Sequence, residues 1–169
     1  PTERNLGWRR LVNSTVWMQL SANRADPNLN NCACPHYLEV CAEESFAKRF
    51  VHKDRGLQVE DKWTSVSGST QSYGRTVITR DGIPVWYMQY AGWYEDAAAP
   101  HLKAALTESY RDRMFFGGRG PRRFDSEKLI YRNVLGPNSQ FAAFHGREFI
   151  RARDNGAMLG VHYYSGGVM

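Results

Sequence analysis

An α+β domain on a curved antiparallel sheet of about six strands is predicted for this 169-residue chain. Three observations predict it. The chain overlays itself, each copy divides into three strand-like runs bounded by turn residues, and a helical run separates the copies. Leu57 to Ile78 overlays Leu129 to Ile150 without a gap, matching Ser67 with Ser139, Gly74 with Gly146, Arg75 with Arg147 and Ile78 with Ile150. Beyond a turn two residues longer in the second copy, Val85 aligns with Leu159, Tyr90 with Tyr164 and Gly92 with Gly166. Internal duplication of a three-stranded meander accounts for this pattern.

The N-terminal part, residues 1–50, is read as a helix followed by a cysteine-bearing loop. Trp8, Leu11, Val12 and Thr15 share one helical face between about Leu6 and Leu20. Residues 21–36 are polar and rich in Asn and Pro, and 37–50 fit helix or strand. The first meander spans 57–92, with strands at 57–63, 73–80 and 84–92. Its hairpin signal is Asp81-Gly82, since these residues tolerate the positive φ of tight turns. Pro84 has no amide donor and should begin its strand or lie on an edge. Gly74 and Gly146, at equivalent strand starts, suggest a bulge or bend used twice.

A central helix over 97–114 follows, with Leu102, Ala105, Leu106, Ser109 and Tyr110 on one face and Pro100 in its first turn. The second meander spans 129–166, with strands at 129–135, 144–153 and 157–166 and Asn155-Gly156 as its hairpin signal. The whole chain is one domain, its sheet covered by the central and N-terminal helices. Two similar meanders imply a pseudo-twofold arrangement, in which a ligand could lie where the halves meet.

Composition narrows the function classes. Hydrophobic residues make up 42% and aromatic ones 13%, which suits a packed core and not a disordered chain. Mean hydropathy is -0.56, and no window approaches the roughly 20 apolar residues a spanning helix needs. No membrane partner is expected. Net charge is +5, concentrated between Arg111 and Arg132 around Gly117-Gly118-Arg119-Gly120-Pro121-Arg122-Arg123. This run is read as a solvated connection, with a phosphate or nucleic-acid contact through Arg119, Arg122 and Arg123 as the alternative. Nucleic acid is not the expected partner, because the basic motif of RNA-recognition sheets is absent.

Cys32, Cys34 and Cys41 lie close to His36. These are ligand types zinc prefers, but the C-x-C spacing lacks paired C-x-x-C knuckles. Reduced thiols in a polar loop are expected, and a disulfide with one free thiol or a metal site stays open. No motif implies a cofactor. A cytoplasmic location is expected, although a chain starting at Pro1 leaves room for a removed targeting segment.

Trp86, Met88 and Tyr90 alternate onto one strand face, and their repeat partners are Gly160, His162 and Tyr164. A tryptophan facing a glycine, beside an imidazole and two phenols, offers an apolar wall with polar groups for a small aromatic or amphipathic ligand. The competing reading is plain core, with Gly160 making room for Trp86. Glu148 and His162, on neighbouring strands, form a candidate acid–base pair for a small cyclase, isomerase or hydrolase. Arg75 and Arg147 could bind an anionic ligand group or pair with Asp61 and Glu148. Serine-hydrolase, P-loop, dinucleotide-binding and H-E-x-x-H motifs are absent. Free sheet edges are compatible with a homodimer formed by strand pairing.

The run Pro84-Val85-Trp86-Tyr87-Met88-Gln89-Tyr90-Ala91-Gly92 with the helix after it carries a family resemblance, as do Phe144-His145-Gly146-Arg147-Glu148-Phe149-Ile150 and Tyr163-Tyr164-Ser165-Gly166-Gly167. Over about 56–169 the chain resembles a bacterial family of domains of unknown function, found alone or behind helix-turn-helix segments in regulators. The resemblance implies the fold and a sensor-like context, and it brings no catalytic residue. Thr76 stands where such families tend to carry an acid.

Overall fold

A computed structural model of the chain describes residues 47–54, 56–65, 68–111 and 116–169. Eight strands form one antiparallel sheet: β1 (Ala47–Asp54), β2 (Leu57–Ser65), β3 (Gln71–Arg80), β4 (Ile83–Tyr94), β5 (Arg123–Asp125), β6 (Leu129–Leu135), β7 (Ala143–Ala152) and β8 (Met158–Val168). The six meander strands are all present. The sheet is wider than expected because β1 and the three-residue β5 add an outer strand to each half. A 3₁₀ turn at Asp96–Ala98 leads into helix α1 (Ala99–Arg111) between β4 and β5. The proposed N-terminal helix and Cys32, Cys34, His36 and Cys41 lie outside the described residues. Among the described residues, no helix is long and apolar enough to cross a membrane.

The strand order is β1-β2-β3-β4-β8-β7-β6-β5. Each half is a run of hairpins, and the halves join where β4 pairs with β8. In that pairing Tyr90 stands opposite Tyr164. Tyr90 in turn pairs with Gly74 on β3, and Tyr164 with Gly146 on β7. A Cβ on either glycine would come within 2.5 Å of the neighbouring tyrosine ring or hydroxyl. These glycines are therefore clearances for rings lying across the sheet, and the expected bulge lies elsewhere. The register slips after Ile78 in β3 and after Ile150 in β7, the same step of each half, and such slips bend a strand. Pro84 pairs with Thr79 just past the first slip, where a missing amide proton is tolerated.

The two hairpin turns differ. Asp81 (φ 49°) and Gly82 (φ 82°) both take positive φ, as a two-residue turn requires. In the second half only Gly156 does (φ 71°), and Asn155 instead accepts a hydrogen bond from the Ala157 amide at 2.9 Å.

One sheet face is covered. Leu57, Val59, Ile78, Trp86, Met88, Tyr90, Phe144 and Tyr164 pack there beneath Leu106, with Tyr94, Tyr131 and Ile150 beneath Ala98 and Ala105. Leu102 packs against both groups, so α1 straddles the two clusters. His101 is buried as well, with Nε2 3.2 Å from the Phe124 carbonyl oxygen.

Trp86 does not face Gly160. It stands opposite Val168, while Gly160 stands opposite Tyr94. A Cβ on Gly160 would fall inside the Tyr94 ring, so this glycine makes room for a tyrosine. Gly160→Ala is expected to destabilise the fold by about 1–3 kcal/mol, the usual cost of overpacking. An unchanged urea midpoint would show that Tyr94 can move aside.

Candidate functional site

Polar side chains gather on the covered face where the halves meet. Glu148 on β7 is wholly buried and stands opposite His162 on β8 and Asn133 on β6. Its Oε1 accepts hydrogen bonds from Arg119 Nε at 3.0 Å and from Arg119 Nη2. Its Oε2 accepts from the Tyr131 hydroxyl at 2.7 Å. Arg119 Nη2 also lies 2.7 Å from His162 Nδ1, and the guanidinium stacks 4.3 Å over the Tyr90 ring.

The tautomer of His162 follows from its neighbours. A guanidinium only donates, so Nδ1 must accept and the ring proton sits on Nε2. From there it is donated to Ser72 Oγ at 2.9 Å. Burial first, then the Arg119 charge, lowers the His162 pKa to about 3, so the ring is neutral at ordinary pH. Glu148 Oε1 and His162 Nδ1 are 4.0 Å apart, and the same arginine atom donates to both. The acid–base candidates are thus brought together, with a cation between them and no direct hydrogen bond.

Arg119 reaches this place because its backbone runs close against the core. Gly117 and Gly118 take φ of 94° and 65°, and a Cβ on Gly118 would meet the Tyr164 ring. Asn133 Nδ2 donates to the carbonyls of Gly117 (2.6 Å) and Gly120 (2.8 Å), while its Oδ1 accepts from the Tyr164 hydroxyl. The first half makes a related contact. Tyr90 donates to Asp61 at 3.2 Å, and Asp61 also accepts from Thr76 at 2.9 Å. Asp61 and Asn133 are the residues that overlay in the two sequence copies.

One hydroxyl in the cluster lacks a well-formed hydrogen bond. Tyr94 Oη is buried and feels the Glu148 and Arg119 charges, yet it makes no hydrogen bond of acceptable geometry among the described residues. Burial, then the Glu148 charge, pushes its pKa far up. Burial also raises the Tyr131 and Tyr164 hydroxyls, again followed by Glu148. All three phenols stay protonated, and Tyr131 is the one that donates to the Glu148 carboxylate.

The other residues singled out from the sequence divide between two faces. Trp86 and Met88 are core, the indole stacked with Phe144 at 5.6 Å and Phe141 at 6.1 Å. Tyr90, Tyr164 and Gly160 line or support the cluster. Arg75 and Arg147 are exposed on the opposite face. They pair with neither of their expected acids, because Thr76 and Tyr90 hold Asp61, and Arg119 holds Glu148. The basic loop is also divided: Arg119 is drawn inward, Arg123 pairs with Asp125 at 2.6 Å, and Arg122 stays exposed near Phe116.

Sequence reasoning missed Tyr94, Tyr131, Asn133 and Ser72 as members of this cluster. Tyr94 shares the strand parity of Tyr90, and that signal was readable. For Arg119 the signal was its glycines, since flanking residues without side chains permit close backbone approach to a core.

A family model described as a domain of unknown function (DUF5680) matches residues 64–169, a span that contains Arg119, Glu148, His162 and the tyrosines around them but not Asp61. No curated protein and no solved structure matches the chain.

Proposed function

The chain belongs to the family of domains of unknown function (DUF5680), and because membership carries no activity with it, we propose from the site's geometry that this is a small-molecule-binding domain. Its ligand is an aromatic or amphipathic molecule with a hydrogen-bonding group, held beside Tyr90, Tyr94 and His162 next to the Arg119–Glu148 pair. The observation that carries this reading is the buried Tyr94 hydroxyl, which lies beside Glu148 and Arg119 without a hydrogen bond of standard geometry among the described residues. Such a group costs about 1–3 kcal/mol, and a ligand acceptor, or water in its absence, would satisfy it. The largely buried ion pair points the same way, since such pairs rarely maximise stability.

Binding is favoured over proton exchange between Glu148 and His162, because Arg119 donates to both. The equivalent places of Gly74 and Gly146, Tyr90 and Tyr164, and Asp61 and Asn133 support descent of the halves from one duplicated unit, with the ligand at their seam.

Tyr94→Phe tests the proposal. Removing this poorly bonded hydroxyl should raise stability by about 1 kcal/mol while weakening a ligand found by thermal-shift screening at least fivefold. A Tyr94→Phe protein that is less stable and binds the same compound unchanged would overturn the reading.

A further inference from the structure

The exposed face of the sheet carries a second arrangement, independent of the buried cluster. Tyr73 on β3 pairs with Ala91 on β4, Ala91 with Tyr163 on β8, and Tyr163 with Arg147 on β7. Tyr73 and Tyr163 are 62% and 59% exposed. They stand two strands apart, about 9–10 Å, with only a methyl group between them. The adjacent row runs Arg75, Gln89, Ser165, His145. Farther along β7, the Arg147 and Arg151 guanidinium groups lie 5.6 and 5.0 Å from the Phe149 ring centre.

Basic residues outnumber acidic ones on this face, where the carboxylates are Glu60 and Asp125 among the described residues. Lys62 stands directly opposite Arg75, and Arg123 opposite Arg132. Like charges placed opposite each other weaken a sheet unless something neutralises them. Asp125 serves the second pair, but Arg123, Arg132 and Arg153 all share that one carboxylate.

 The Arg132 hydrogen bond above all, joined by the Arg123 hydrogen bond and the charges of both arginines, lowers the Asp125 pKa to about 2 against the opposing effect of burial. The edge beside β5 therefore stays positive.

We propose that this face binds single-stranded nucleic acid, its bases stacking on Tyr73 and Tyr163 and its phosphates meeting Arg75 and Arg147. A face this basic repels a second copy of itself and attracts a polyanion. Exposed rings at strand spacing select a polyanion with free planar groups, which unpaired bases supply and a stacked duplex does not. The sequence lacks the usual RNA-recognition motif, and it is the pairing of Tyr73, Ala91 and Tyr163 across three strands that supplies the stacking platform.

The test is fluorescence anisotropy of the full chain with labelled oligouridylate and oligothymidylate of about ten nucleotides, and with a duplex, at low and high salt. Single strands should bind at low salt more tightly than the duplex. Tyr73→Ala with Tyr163→Ala should weaken binding roughly tenfold or more, whereas Phe at both positions should retain it. Both tyrosines are exposed, so melting temperatures should not change. Arg75→Ala with Arg147→Ala should reduce the slope of log affinity against log salt by about 1.4. Absence of single-strand binding at low salt, equal affinity for the duplex, or indifference to the tyrosine substitutions would overturn the proposal. So would a dimer in sedimentation that the same substitutions dissociate, which would make a second copy the occupant.

Discussion

Glu148→Gln should destabilise the protein by about 3–5 kcal/mol, because it leaves the Arg119 guanidinium in the core without its counter-charge. Glu148 has no solvent exposure, and the Arg119 side chain has 13%. Water can therefore reach only a small part of the guanidinium and replaces the carboxylate poorly. Folded domains are commonly stable by only about 5–15 kcal/mol, so the loss should be plain in the urea midpoint. Replacing both partners, as in Glu148→Leu with Arg119→Met, should recover much of it, since an apolar pair leaves no orphaned charge. A cost below about 1 kcal/mol for Glu148→Gln would show that the pair is solvated, and the closed site would lose its basis.

The second large effect is an acid-side loss of stability that depends on His162. Its folded-state pKa of about 3 lies below the ordinary 6.5 of an imidazole. As pH falls from 6.5 toward 3, the unfolded chain takes up a proton that the folded chain refuses. Stability present above pH 6.5 is therefore lost progressively across that window, by on the order of a few kcal/mol. Denaturant midpoints measured from neutral pH down to about pH 4 should fall, and His162→Gln should flatten the slope. His101, also lowered by burial, acts in the same direction and remains in the variant. A slope unchanged by His162→Gln would mean that the imidazole is not held neutral.

The fold was legible because its signals are local. Alternation, the Asp81-Gly82 turn and the self-overlay place six strands and a helix within a few residues of where they occur. The pairing partners were harder, since the overlay identifies equivalent residues and not neighbours. Trp86 and Gly160 are equivalent positions, but antiparallel joining of β4 and β8 sets each opposite a different residue. Parity would have separated Arg75 and Arg147 from Glu148, because alternate residues of one strand point to opposite faces. Glu148 and His162 were found by chemistry and strand position. Arg119 was read as solvated because charge runs usually are, and only the path of its glycine-flanked backbone into the core reverses that.

The join between β4 and β8 also bears on how the molecule is made. The strand at the middle of the sheet is the last of the eight in chain order, and it pairs residues as distant as Trp86 and Val168. During synthesis the first four strands can form hairpins early, but the β4 rim stays bare until β8 leaves the ribosome. Such distant pairing slows folding, and a bare rim invites strands from other chains. Shortening the chain within β8 would leave two half-sheets with no seam between them, a far greater loss than trimming either outer strand.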